Sequence, residues 1–208
     1  MIVTDIQNIG RNRYKVFSDE GFLFVLYAKE LSHYKIEEGA EISEETIREI
    51  REDVLTGRAR LRAMNLLMKH AFSEKGLYGK LVEGGYPEDV AASALEYVKS
   101  FGYMDDEAFA YDYITSHAED KSIRRITMDL LNKGISSDVI DKAFLRLADQ
   151  SEQVDEETQI RSLLMKRHFD PEEADINVIN KTYKFLLGKG YSSDVIRRVL
   201  SVSAIETE

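Results

Sequence analysis

Residues 85–90 read GYPEDV, residues 134–139 read GISSDV and residues 190–195 read GYSSDV. The phrases start 49 and then 56 residues apart, and each follows a run of helical periodicity. Self-similarity at such a period marks a modular all-helical repeat. Stacked repeats present an extended surface rather than one deep pocket, which points to a binding protein. The chemistry of the phrase explains its recurrence. Glycine just past a helix cap adopts the left-handed conformation without steric cost and closes the helix in a Schellman motif. The residue after it then packs back on the last turn, which pairs Tyr86 with Leu81, Ile135 with Leu130, and Tyr191 with Leu186. Asp89, Asp138 and Asp194 fall in the first turn of the following helix, where the macrodipole favours a carboxylate. Each phrase is thus a helix–turn–helix joint.

Working outward, every periodic segment after Arg58 reads as helix. Leu61, Met64, Met68 and Ala71 predict one buried face, with Arg58, Arg62 and Lys69 on another. Gly57 and the stretch 73–76 are expected to bound that helix. Further stripes are Leu77 and Leu81; Val90, Ala94, Tyr97, Val98 and Phe101; Phe109, Tyr113 and Ile114; Ile123, Ile126 and Leu130; and Ile140, Ala143, Phe144 and Leu147. The last third carries Ile160, Leu163 and Leu164; Ile176, Ile179, Tyr183 and Leu186; and Ile196, Val199 and Leu200. Asp170-Pro171-Glu172-Glu173 predicts a helix start, with an Asp cap, Pro at the first position and a capping-box Glu.

Residues 1–36 differ. Ile2 to Ile6, Arg13 to Phe17 and Phe22 to Tyr27 are short β-branched or aromatic runs. Asn8, Gly10 and Asn12, then Ser18 to Gly21, separate them as turns, which predicts a small antiparallel sheet. Ser43 is expected to cap a helix bearing Glu44 and Glu45 in its first turn and Ile47, Ile50 and Val54 on its buried side. The expected fold class is mainly α, with a β-rich start.

Composition narrows the function classes. The chain has 208 residues, 43% hydrophobic and 32% charged, with no cysteine, so disulfides and thiolate metal sites are excluded. Its start has no continuous apolar segment of signal-peptide type, and the run Phe22 to Ala28 is too short to span a bilayer. A cytoplasmic location is the simplest expectation. The net charge is −10, and only residues 58–100 are locally basic, with 7 basic and 5 acidic groups. Bulk affinity for a phosphate backbone is therefore disfavoured, whereas an acidic chain suits basic protein surfaces.

Catalytic patterns are few. Tyr103-Met104-Asp105-Asp106 spells a paired-carboxylate tetrad that binds divalent metal when carried on a β-hairpin. Here it follows Gly102, a helix stop, and precedes Phe109 at helical spacing. That predicts Asp105 as an N-cap, Asp106 as a first-turn residue and no metal. His33, His70, His117 and His168 show no zinc-ligand spacing. Gly188-Lys189-Gly190 lacks the spacing and hydroxyl of a phosphate-binding loop. Three basic clusters remain, on different helical segments: Arg58, Arg60 and Arg62 with Lys69; Lys121, Arg124 and Arg125; and Lys166 with Arg167. They read either as solvated helix faces or as a discontinuous ridge toward phosphates or acidic protein.

FSEKGLYGKLVEGGYPEDVAASALEYVKSFGYMDDEAFAYDYI (72–114) and IRRITMDLLNKGISSDVIDKAF (123–144) resemble the RecX family, bacterial modulators of the RecA recombinase. The resemblance rests on Ser73 with Leu77, Lys80 and Leu81; on Gly102 to Asp106 with Phe109-Ala110; and on Arg125-Ile126 with Leu130 and Lys133-Gly134-Ile135. It extends from about Arg58 to Ser203, with the last third the loosest, and the β-rich start resembles an N-terminal extension of some Gram-positive members. Departures are Ala71-Phe72, where a basic residue is common before Ser73; Lys121-Ser122-Ile123, where the family usually has a glycine; and His117, where Arg is common.

The resemblance implies three tandem three-helix modules in an elongated body. The expected divisions are 1–57 for the β-rich start and connecting helix, then 58–104, 105–153 and 154–208. It implies a non-catalytic regulator, without cofactor, that lies on the RecA–single-stranded DNA filament and restrains its ATPase, strand exchange and co-protease activity. Arg58, Arg62, Lys69, Lys121, Arg124, Arg125, Lys166 and Arg167 become the expected partner contacts. Gly85, Gly102, Tyr103, Asp105, Asp106, Phe109, Gly134 and Gly190 are expected to be structural. No membrane or small-molecule ligand is expected, and the acidic ends favour a monomer. The alternatives are a helical repeat that binds DNA without RecA and a metal-dependent enzyme built on Asp105 and Asp106.

Overall fold

The computed structural model describes residues 1–150, 154–170 and 174–200, and the chain forms two compact units divided at Asp105. The first opens with three antiparallel strands in sequential order: β1 (Val3–Asn8), β2 (Arg13–Ser18) and β3 (Gly21–Tyr27). The first hairpin turns through Gly10, Arg11 and Asn12, all at positive φ, and the second ends at Gly21 with φ 115°. Residues 39–42 cover the outer edge of β1, where the Val3 N–H donates to the Ala40 carbonyl at 2.9 Å. Leu23, Phe24, Val25 and Leu26 are consecutive and all buried, so β3 is covered on both faces rather than one.

The helices α1 (Ala28–His33), α2 (Glu44–Glu49), α3 (Gly57–Leu67), α4 (Glu74–Glu83) and α5 (Glu88–Ser100) complete this unit. Ser43 caps α2 as expected, accepting the Thr46 N–H at 3.1 Å. The sheet and the helices share one core, running from Val16 and Phe24 through Leu77 and Leu81 to Ala94 and Val98.

Two expectations for this segment fail. Gly57 does not bound a helix: its φ and ψ are −61° and −41°, and α2 runs through a π-helical segment, Ile50–Thr56, directly into α3. The buried residues are Ile47, Ile50, Leu55, Ala59 and Ala63, so one step of five stands among steps of three and four. A π turn adds one residue to the helix while keeping its face, so Leu55 rather than Val54 enters the core. Of the predicted stripe of α3, only Met64 packs against the core. Leu61 is 60% exposed, Met68 is 82% exposed and Ala71 is on the surface, while Ala59 and Ala63 are fully buried. α3 packs on α5, which buries Ala91 and Ala94. Small side chains let two helix backbones approach, a gain that ranking residues by hydrophobicity overlooks.

The second unit contains α6 (Asp106–His117), α7 (Ile123–Asn132), α8 (Ser137–Asp149), α9 (Glu156–Lys166), α10 (Ile176–Gly188) and α11 (Ser193–Leu200). Among the described residues it has two separate cores. Ala110, Ile114, Ile126, Leu130, Ile135, Ile140, Ala143 and Leu147 form one. Ile160, Leu164, Ile179, Tyr183, Leu186, Tyr191, Ile196, Val199 and Leu200 form the other. Phe101, Ile123 and Ile176, expected in buried stripes, are exposed. Each stands at a helix end, beyond the reach of the packed face. The start signal at 170–173 falls largely on residues outside those described; α10 itself begins at Ile176, with Asp175 before it.

The joints form as their chemistry requires. Gly85, Gly134 and Gly190 have φ of 91°, 88° and 93°. The N–H groups of Tyr86, Ile135 and Tyr191 reach Leu81, Leu130 and Leu186 at 3.3, 3.1 and 3.3 Å. Gly102 repeats the closure, with the Tyr103 N–H on the Val98 carbonyl at 3.2 Å. Two further closures use residues that the sequence does not flag. Lys35 (φ 52°) and His168 (φ 53°) take the left-handed position, with Ile36 bonded to Leu31 and Phe169 to Leu164.

Candidate partner-binding surface

The predicted basic residues divide into those that hold the fold and those that face solvent. Arg58 belongs to the fold. Its guanidinium pairs with Glu30, lies 4.7 Å from the Tyr27 ring centre and reaches the Val25 carbonyl, so it ties α3 to the end of the sheet. Lys121 belongs there too: its ammonium bonds Asp129 at 2.9 Å and the Tyr113 hydroxyl at 2.8 Å. Asp129 also accepts from Tyr113 at 3.1 Å and pairs with Arg125 at 3.2 Å. The hydrogen bond from Lys121 leads the effects that hold the Asp129 carboxyl below its ordinary range, outweighing burial. For Lys121, burial opposes the charge, but the bonds to Asp129 and Tyr113 exceed it and raise the ammonium pKa. Arg62, Lys69, Arg124, Lys166 and Arg167 are exposed, and Arg125 keeps most of its side chain in solvent.

Within the second unit the two cores meet at Ser122, a residue to which sequence reasoning gave no role. Its hydroxyl accepts the Arg125 N–H at 3.3 Å, capping α7, and donates to the Lys189 carbonyl at 3.0 Å. Gly190 lies so close that an added Cβ would sit 2.7 Å from the Ser122 Oγ. Gln159 on α9 donates to the Ala118 carbonyl and, at 3.1 Å, to the Lys121 carbonyl. The Glu156 carboxylate accepts the Ile123 N–H at 2.8 Å. Burial, with Glu156 and Asp120 nearby, raises the pKa of the Tyr191 hydroxyl. A serine just before the Ile123 helix was legible as an N-cap. Its bond to a residue 67 positions away was not.

The surface beside this contact has two hollows of different character. One, about 690 Å³, is lined by Lys121, Arg125 and Lys189, by Phe185 and Tyr191, and by a single carboxylate, Asp120. Arg167 and Lys189 stand 4.3 and 5.6 Å from the Phe185 ring centre. The other, about 610 Å³, is lined by Glu119, Asp120, Asp155 and Gln159, with Lys166 also contributing. Of the predicted clusters, Lys121 and Arg125 thus share a hollow with Phe185, and Arg167 lies at its ring together with Lys189, which spacing alone does not select. Asp105 directly precedes α6 and Asp106 opens it, so the carboxylate tetrad lies between two helices rather than on a hairpin. Among the described residues, no group of three or more His, Asp or Glu is placed to hold a metal ion. None of their helices is long and apolar enough to cross a membrane.

Three family models match in order along the chain: RecX, first three-helix domain, at residues 59–97; second three-helix domain, at 105–143; and third three-helix domain, at 155–200. The chain belongs to the RecX family. Among curated relatives, the regulatory protein RecX of Clostridium perfringens (strain SM101 / Type A) is 28% identical over 209 residues, covering 97% of each chain. That of Clostridium botulinum (strain Eklund 17B / Type B) is 24% identical over 196 residues, covering 94% of this chain and 92% of the relative. A crystal structure of regulatory protein RecX matches with a TM-score of 0.62 at 22% identity, over 97% of this chain and 99% of that one. RecX from Lactobacillus salivarius matches with 0.56 at 21% identity, over 71% and 95%. These structural likenesses concern the fold. The second and third RecX domains each hold one of the two cores of the second unit.

Proposed function

We propose that this chain is a non-catalytic regulator of the RecA recombinase, acting in the cytoplasm by binding the RecA–single-stranded DNA filament and restraining its ATPase, strand-exchange and co-protease activities. The observation that carries this reading is the ordered set of three RecX domains on one chain, each helical joint closed as its sequence requires. Exposed cations at Arg62, Lys69, Arg124, Arg125, Lys166 and Arg167 supply many weak contacts, and such contacts spread over adjacent protomers of a filament gain avidity. Arg58 and Lys121, engaged within the fold, contribute by positioning rather than by touching the partner.

The test is the single-stranded-DNA-dependent ATPase of the cognate RecA with this protein titrated in. Suppression below one regulator per RecA is expected. An unchanged ATPase, together with strongly salt-dependent binding to free DNA, would replace this reading with direct DNA binding.

A further inference from the structure

We propose that the 690 Å³ hollow beside α7 and α10 binds an acidic segment of a protein partner, with a carboxylate against Lys189 and Arg125 and an apolar side chain against Phe185. This rests on the reading that the chain acts by contact with a protein. Lys121 and Arg125 share a single carboxylate, Asp129, so the cluster keeps positive charge in excess. Among the described residues no ion pair is formed by Lys189 or Arg167. Both stand instead at the Phe185 ring, which fixes cations without neutralising them. The hollow thus offers an aromatic wall bordered by cations whose positions are set before a ligand arrives, and preorganised charge is what a carboxylate-bearing side chain binds best.

A nucleic-acid strand fits less well. Its phosphates continue past the hollow, where Glu119, Asp120 and Asp155 line the second one, and the chain as a whole carries −10. An acidic side chain or two needs only the local field.

The experiment measures binding of a fluorescent peptide of alternating glutamate and leucine to the full chain by anisotropy. A lysine–leucine peptide and an oligothymidylate serve as the other arms. Lys189 is exposed, so Lys189→Glu leaves the cores intact, and Lys29→Glu on α1, at an exposed lysine far along the chain from the hollow, is the control. The acidic peptide is expected to bind, and Lys189→Glu to weaken it about tenfold while Lys29→Glu changes it little. Failure of the acidic peptide to bind, or equal binding by Lys189→Glu, would overturn the proposal. Oligothymidylate binding that is lost in Lys189→Glu, with no peptide binding, would assign the hollow to nucleic acid instead. The RecA ATPase separates this proposal from the one it rests on. Suppression that persists in Lys189→Glu without peptide binding sinks only the hollow; peptide binding with no effect on the ATPase sinks only RecA regulation.

Discussion

Gly85 and Gly190 occupy the same place in the same phrase, with φ of 91° and 93° and equivalent closing bonds, yet they abut different things. A Cβ at Gly85 would come within 2.4 Å of Cγ2 of Val25, a buried, branched side chain of β3. A Cβ at Gly190 would meet the Ser122 hydroxyl, between two cores that are otherwise separate. One joint is packed into its surroundings and the other is latched to them by hydrogen bonds. The phrase fixes the local turn in both cases; the neighbour decides how rigidly the turn is held.

Gly85→Ala attacks the packed joint. The left-handed strain and the clash with a branched side chain together cost about 3 kcal/mol, read as a fall in the urea midpoint of the first unit. Gly190→Ala carries the same backbone strain but meets a small side chain that can rotate away, at the loss of the Ser122 bonds to Lys189 and Arg125. About 2 kcal/mol is expected, with faster amide exchange beside the latch and an undisturbed first unit. Equal costs at the two sites would erase the distinction.

Asp129→Asn removes the carboxylate shared by Lys121, Tyr113 and Arg125, and about 1 kcal/mol of stability at neutral pH. The carboxyl pKa is lower in the folded chain than in the unfolded one, so its stabilisation is complete above the unfolded value near ~3.9 and is lost as pH falls through the folded value. The gap between wild-type and variant urea midpoints therefore closes in acid, and a gap independent of pH below ~4 would show that the carboxylate's charge contributes nothing. The smallest effects come from the two closures without glycine. Lys35→Gly and His168→Gly relieve left-handed strain at the expense of unfolded-state entropy, and each raises stability by up to about 1 kcal/mol in thermal melts.

Legibility in the sequence follows the range of the interaction. The three glycine joints, the strand pattern and most helix stripes depend on neighbours a few residues away, and all are readable. The left-handed Lys35 and His168 escape because tertiary structure holds them there against their own preference. The buried face of α3 escapes because Ala59 and Ala63 enter the core for their small size. At the candidate surface, the exposed clusters at Arg124, Arg125 and Arg167 are readable from composition. That Arg125 shares a hollow with Phe185 and Lys189 depends on how two helical domains meet, which no local pattern encodes. For the same reason Arg58 and Lys121 are indistinguishable in sequence from free cations until Glu30 and Asp129 are found beside them.

The π-helical segment Ile50–Thr56 amounts to a counting surplus. Because Ile50 and Leu55 both face the core, removing one exposed residue between them, such as Glu52, would leave two apolar side chains four apart on an ordinary α-helix. The chain can therefore lose a codon there without losing its register, an uncommon freedom for the middle of a helix and one that marks the segment as the place where this molecule and a shorter relative can differ in length yet keep the same core.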